Sequence, residues 1–158
     1  MAVQTAAGTT IAISAQTPAT FDAAGYNALA ASFKVIGEVT DAGTHGRTYA
    51  EVTHNPIGSR GTMKFKGSFN EGNKTLQLAL DYDDEGQALA KVALDDDDDY
   101  SFAVYYPDGS IDYFQAKVMS FTKTVSSVDS IVTATIELSI TTNSDGVGIV
   151  EVSASSAP

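Results

Sequence analysis

Between positions 132 and 140 apolar and polar side chains alternate without a break: Val132, Ala134, Ile136, Leu138 and Ile140 fall on one side, Thr133, Thr135, Glu137 and Ser139 on the other. A run with period two can bury its apolar set only as a strand lying on a core, because a helix would scatter that set around its axis. The same period recurs at residues 9–15 (Ile11, Ile13, Ala15), at 63–69 and at 76–82. At 100–106 it puts Tyr100, Phe102, Val104 and Tyr106 on one face. The expected fold is therefore mainly β, a sandwich whose layers share one core.

Turn chemistry places the connections. Pro107-Asp108-Gly109 should join the 100–106 strand to one at 110–120, proline presetting φ and glycine accepting a positive one. Asn70-Glu71-Gly72-Asn73 should join 63–69 to 76–82 as a second hairpin. Further strands are expected at 33–39, ending at Asp41-Ala42-Gly43, and at 147–152. One flanking helix is expected at 85–94. Asp84 and Gln87 have capping-box spacing, acids fill the first turn, and Leu89, Val92 and Ala93 form the apolar stripe. Residues 16–31 read as a loop with one helical turn near 27–31. Residues 44–60 are weakly patterned apart from a strand at 48–53, and long irregular stretches in compact domains tend to carry function. No repeat or linker divides the chain, so a single domain over 1–158 is expected, with 1–8 and 143–158 as flexible or assembly arms.

Charge and composition exclude several function classes. Twenty acidic against nine basic residues leave a formal −11, the wrong sign for gripping a phosphate backbone. The charge is uneven: residues 81–99 hold nine acids against Lys91 alone, while 61–80 carry Lys64, Lys66 and Lys74 against Glu71. Such asymmetry can steer self-association. The absence of cysteine removes disulfides, thiolate catalysis and Cys-ligated zinc. No stretch of eighteen apolar residues occurs, and the first seven residues lack the regions of a signal peptide, so neither membrane insertion nor signal-directed export is expected.

No catalytic, cofactor-binding or metal-binding residue is expected. His45 and His54 stand nine apart, a spacing of no helical metal motif. Asp83, Asp84 and the run Asp95, Asp96, Asp97, Asp98 and Asp99 lack the alternation, the central Gly and the closing Glu of a calcium loop. Gly58, Gly61 and Gly67 do not form a phosphate-binding loop. Tyr100, Tyr105, Tyr106 and Tyr113 would suit a sugar-stacking platform, but alternation sends most of them toward packing. The alternative to a purely structural role is an acidic β-sandwich module binding a glycan or a cation.

The order of local sequences carries the reading further. Phe33-Lys34-Val35-Ile36-Gly37-Glu38-Val39-Thr40, Asn55-Pro56-Ile57 and Lys66-Gly67-Ser68-Phe69-Asn70-Glu71-Gly72 resemble the front half of the major tail tube proteins of long-tailed bacteriophages. Asp83-Asp84-Glu85-Gly86-Gln87-Ala88-Leu89, Tyr106-Pro107-Asp108-Gly109-Ser110 and Phe114-Gln115-Ala116-Lys117-Val118-Met119-Ser120 continue the resemblance, which covers about 9–142. It implies a tail-tube-type sandwich with one flanking helix and long assembly loops. It also implies a virion tail component assembled in the host cytoplasm, with hexameric rings stacked into a conduit through which DNA passes without specific binding. The implied partners are other copies of the chain and the tape-measure, tail-terminator and tail-tip proteins, with no cofactor and no membrane. Two candidate sites follow: an inter-ring assembly loop at His54, Asn55, Pro56, Ile57, Gly58, Ser59 and Arg60, and an acidic lumen or ring-face patch at Asp95, Asp96, Asp97, Asp98 and Asp99.

Overall fold

The computed structural model describes residues 3–154. Ten strands and two α-helices occur in the order β1 (Thr10–Ser14), α1 (Ala23–Asn27), β2 (Lys34–Ile36), β3 (Val39–Asp41), β4 (Thr48–His54), β5 (Met63–Asn70), β6 (Asn73–Ala79), α2 (Glu85–Leu94), β7 (Tyr100–Tyr105), β8 (Ile111–Thr124), β9 (Thr133–Thr141) and β10 (Val150–Val152). Eight strands make one antiparallel sheet in the order β2-β1-β7-β8-β9-β6-β3, with β10 beside β8; β4 and β5 pair only with each other.

The fourteen residues of β8 organise the large sheet. Its first part, Ile111 to Ala116, pairs with β7, and Gln115 to Thr124 pair with β9. The register shifts between Val118 and Ser120, leaving Met119 as an exposed bulge, a feature that bends a strand and increases its twist. The two halves of the sheet then face one core: Ile11, Ile13, Phe102 and Val104 from one side join Leu76, Leu78, Ile136 and Leu138 from the other. That arrangement is the expected sandwich, made by folding one sheet over. A second, smaller cluster lies behind β7 and β8, where Tyr26 of α1 stacks on Tyr113 with ring centroids 5.0 Å apart. Both faces of β7 are thus covered, which is why Tyr100 through Val104 are buried without alternation.

The expected strand at 33–39 is instead two strands at opposite ends of the sheet. Gly37 and Glu38 form the corner, Glu38 adopting φ 59°. Helix α2 holds this corner. The Asp84 carboxylate accepts from both Gln87 N and Gly37 N, while Gln87 Nε2 donates to the carbonyls of Gly37 and Ala79. With its backbone groups engaged by α2, Gly37 cannot continue a ladder. The capping box is therefore only half formed: Asp84 caps the helix, but the fully buried Gln87 is turned toward β2, β3 and β6. Gly86 permits this approach, since a Cβ there would lie 2.3 Å from the Val35 carbonyl oxygen. This docking also corrects the apolar stripe: Gly86, Gln87, Ala90 and Ala93 face inward, Leu89 is half-buried and Val92 is exposed.

Four other expectations change. The 70–73 segment does not close a hairpin between β5 and β6; it passes the chain from the small sheet to the large one, where Leu76 and Leu78 pair with β9 instead. Val132 precedes β9 and is partly exposed rather than core. Within the expected arm at 143–158, Val150 and Val152 pair with Tyr113 and Ile111, and Val152 is buried. The arms' outermost residues, 1–2 and 155–158, lie outside the described residues. The helical turn anticipated near 27–31 is α1 slightly earlier, followed by a short 3-10 turn at Ala30–Ser32.

Ile136 and Leu138 are fully buried between the two halves of the folded sheet. Truncating either to Ala is expected to cost about 2–5 kcal/mol, through lost transfer energy and the cavity left behind. Val132→Ala, at the exposed approach to β9, should cost less than about 1 kcal/mol. Denaturant unfolding of the three variants checks the ranking.

Candidate assembly site

The β4–β5 hairpin stands apart from the body. It pairs antiparallel from Thr48 opposite Asn70 to His54 opposite Met63, with no strand of the large sheet on either edge. From Thr48 to Lys66 every residue except Pro56 is exposed, including Tyr49, Val52, Ile57, Met63 and Phe65. Ile57 projects completely. An isolated two-stranded hairpin is marginally stable in water, and a contiguous exposed apolar surface generally marks a contact with another molecule. Arg60, Lys64 and Lys66 against Glu51 give residues 48–70 a charge of +2, leaving −13 on the rest of the chain.

The structure brings the predicted loop residues together at the tip. His54 ends β4, Asn55 through Arg60 form the loop, Ser59 N donates to the Pro56 carbonyl at 3.2 Å, and Gly61 N donates to Ser59 Oγ. The expected irregular stretch is thus an extended hairpin, and only its tip is a loop.

At the root, two polar clusters tie the hairpin to the body. Arg47 Nε lies 2.7 Å from Glu71 Oε1, and its guanidinium sits 3.8 Å over the Phe69 ring. Glu71 is buried, and a Cβ on Gly148 would lie 2.4 Å from its carboxyl carbon, so the chain before β10 closes over it. Just before Arg47, His45 Nε2 lies 2.7 Å from Asp112 Oδ2, and Lys74 Nζ lies 3.0 Å from His45 Nδ1. The Tyr106 hydroxyl donates to the same Asp112 oxygen at 2.6 Å.

Burial drives Lys74 down to about 8, against partial opposition from the charges of Asp112 and Asp41. Burial pushes Asp112 up, but hydrogen bonds from His45 and Tyr106 and the charge of Lys74 outweigh it and hold the carboxyl below its ordinary range. Burial, followed by the bond to Asp112, raises the Tyr106 phenol.

The spacing of His45 from His54, which fits no metal motif, does not disclose these partners. One signal was present: Lys74 occupies the inward phase of β6 together with Leu76 and Leu78, a position where a lysine requires partners.

The five-aspartate run is the loop between α2 and β7. Asp96 accepts from the Tyr100 hydroxyl and from Asp98 N, and Asp99 pairs with Lys117. Asp95, Asp97 and Asp98 are exposed, and their carboxylates make no hydrogen bond or ion pair among the described residues. The tyrosines weighed for sugar stacking face inward: Tyr100 and Tyr113 are buried, and Tyr105 and Tyr106 pack against the two clusters. No helix of the described residues is long and apolar enough to cross a membrane.

A folded-over sheet with a helix at its corner and a basic, apolar hairpin projecting from an acidic body defines a subunit built for assembly. The chain belongs to the lambda phage tail tube protein family, whose model matches residues 21–146. This makes it a structural tail tube component of a virion. Solved structures share the fold at low identity. A sheath/tube terminator of an extracellular contractile injection system superposes with TM-score 0.66 at 10% identity, covering 97% of this chain and 99% of that one. The tail of a gene transfer agent particle gives 0.63 at 14%, covering 86% and 92%. The SPP1 tail tube gives 0.61 at 14%, covering 91% and 76%. No curated protein sequence matches.

Lys74 generates a pH prediction. The unfolded chain holds this proton up to about 10.5 and the folded chain only to about 8, so between those values the unfolded state binds more protons and stability rises with pH. Denaturation midpoints are therefore expected to increase from about pH 7.5 to about pH 9.5, and Lys74→Met should remove that increase.

Proposed function

We propose that copies of this chain close into hexameric rings that stack into a hollow tube, and that the β4–β5 hairpin with its tip, His54 to Arg60, joins one ring to the next. The observation that carries this reading is the hairpin itself, exposed from Thr48 to Lys66 apart from Pro56, bearing apolar side chains, and opposite in charge to the body it leaves. Heterologous stacking needs two different surfaces on each subunit, and a basic hairpin meeting an acidic body supplies them. The six-fold symmetry described for the gene transfer agent tail supports the ring size.

The chain acts as a single domain, with the parts of its terminal segments that lie outside the sheet adding contacts between copies. Its further partners are a tape-measure protein during assembly and terminator and tail-tip proteins at the tube ends. It catalyses no reaction, and DNA crosses the tube without specific binding. An acidic wall serves that passage, because lysine and arginine would hold phosphates through counterion release. Asp95, Asp97 and Asp98 are the available charges of the run for such a wall or for a ring face.

Deleting residues 55–60 should leave a folded monomer, since the tip contributes no buried side chain, yet abolish tubes under negative-stain microscopy. Tubes of normal length from the deletion protein would refute the inter-ring role. Replacing Asp95, Asp97 and Asp98 by Lys in assembled particles should slow DNA release while leaving tubes intact; unchanged release would place the run away from the channel.

A further inference from the structure

We propose that His45, Lys74, Asp112 and Tyr106 form a clasp that sets the angle of the β4–β5 hairpin and closes in only one protonation state, making assembly sensitive to acid. The proposal rests on the hairpin being the assembly element. Geometry defines the closed state. Asp112 Oδ2 receives the Tyr106 hydroxyl at 2.6 Å, so it is an acceptor, and His45 Nε2 at 2.7 Å must carry a proton. Lys74 Nζ, 3.0 Å from His45 Nδ1, has only hydrogens to offer when charged, so Nδ1 must be bare. The satisfied cluster is therefore neutral His45 protonated at Nε2, between an ammonium and a carboxylate. A second proton on His45 would set an N–H against the Lys74 ammonium at hydrogen-bond distance, with no acceptor between them.

Among the described residues, Lys74 is the one hydrogen-bond partner of His45 Nδ1. Lys74 and Asp112 come from β6 and β8, and Tyr106 follows β7. Asp41 at the end of β3 acts on Lys74 through space, Glu151 of β10 acts on Tyr106, and Arg47 is committed to Glu71. His45 lies three residues before β4. The hairpin has no ladder to the large sheet, so its direction depends on this root and on the Arg47–Glu71 pair. The only other histidine, His54, is exposed near the tip, so a pH response at the root can be assigned to His45 by substitution.

The chain has no cysteine, so Thr53→Cys on β4 and Gln77→Cys on β6 can carry a pair of spin labels without further changes. In dilute monomer near pH 7.5 a single narrow distance distribution is expected, and the imidazole nitrogen spectrum should show His45 neutral with the proton on Nε2. Near pH 5 the distribution should broaden and tube formation should slow at least about fivefold. His45→Phe should be broad at both pH values and assemble slowly at both. If that variant does not fold, Tyr106→Phe, which removes one donor, should broaden the neutral distribution in the same direction. A wild-type distribution unchanged by acid, a proton on Nδ1 at neutral pH, or wild-type assembly rates from a broadened variant would each overturn the proposal. The deletion of residues 55–60 separates the two readings: tubes from that protein would remove the hairpin's assembly role, while the distance and nitrogen data still decide whether the clasp exists.

Discussion

The fold depends on the sharing of β8 between two sets of partners. Because its early residues pair with β7 and its later ones with β9, a single ladder turns back over itself and encloses Phe102, Phe114, Leu76 and Ile136 in one core. The bulge at Met119 accommodates this change of partner. Without the fold-over, the apolar faces of β1 and β6 would each need a separate cover. Burying Ile11, Ile13, Leu76 and Leu78 together, at roughly 1.5–3 kcal/mol for each large aliphatic chain, is what opposes the entropy of ordering so many strands.

The outer strands of the sheet, β2 and β3, are consecutive in the chain, and Gln87 of α2 fastens the corner between them. This polar side chain is fully buried, yet its amide donates to two carbonyls and its oxygen accepts from Asp81 N. Three bonds satisfy a group whose burial would otherwise be costly. The same economy of partners appears at the hairpin root, where Lys74, Asp112 and Glu71 are each held by a specific neighbour. No buried side-chain nitrogen or oxygen of the described residues lacks a hydrogen bond. The buried polar side chains are thus satisfied internally, and the hairpin adds exposed apolar side chains on a segment with no ladder to the large sheet.

That separation suits a tube subunit. A self-contained body keeps the monomer folded, while under the proposed inter-ring role an appendage that is marginal alone would gain its stability on contact with another copy. The opposite charges of the two parts favour contact between unlike surfaces over contact between like ones. In a heterologous assembly this preference orders the subunits head to tail.

Much of this was legible in the chain itself. Period-two alternation located the strands at 10–14, 76–79, 100–105 and 133–141, the PDG turn located the β7–β8 hairpin, and Asp84 located the start of α2, because these depend on neighbours within a few residues. The order of short motifs was enough to suggest the family. Pairing was a different matter: 63–69 and 76–82 looked like one hairpin, although β5 belongs with β4 and β6 with β9. Periodicity states that a strand has an apolar face, not which strand will meet it. Lys74, in phase with Leu76 and Leu78, marked a polar cluster, but the other members of that cluster come from positions 45, 106 and 112. Local sequence determined the elements and the composition of their faces; the tertiary structure alone decided which edges and buried charges were brought together, because those contacts exist only after the sheet has folded over at β8.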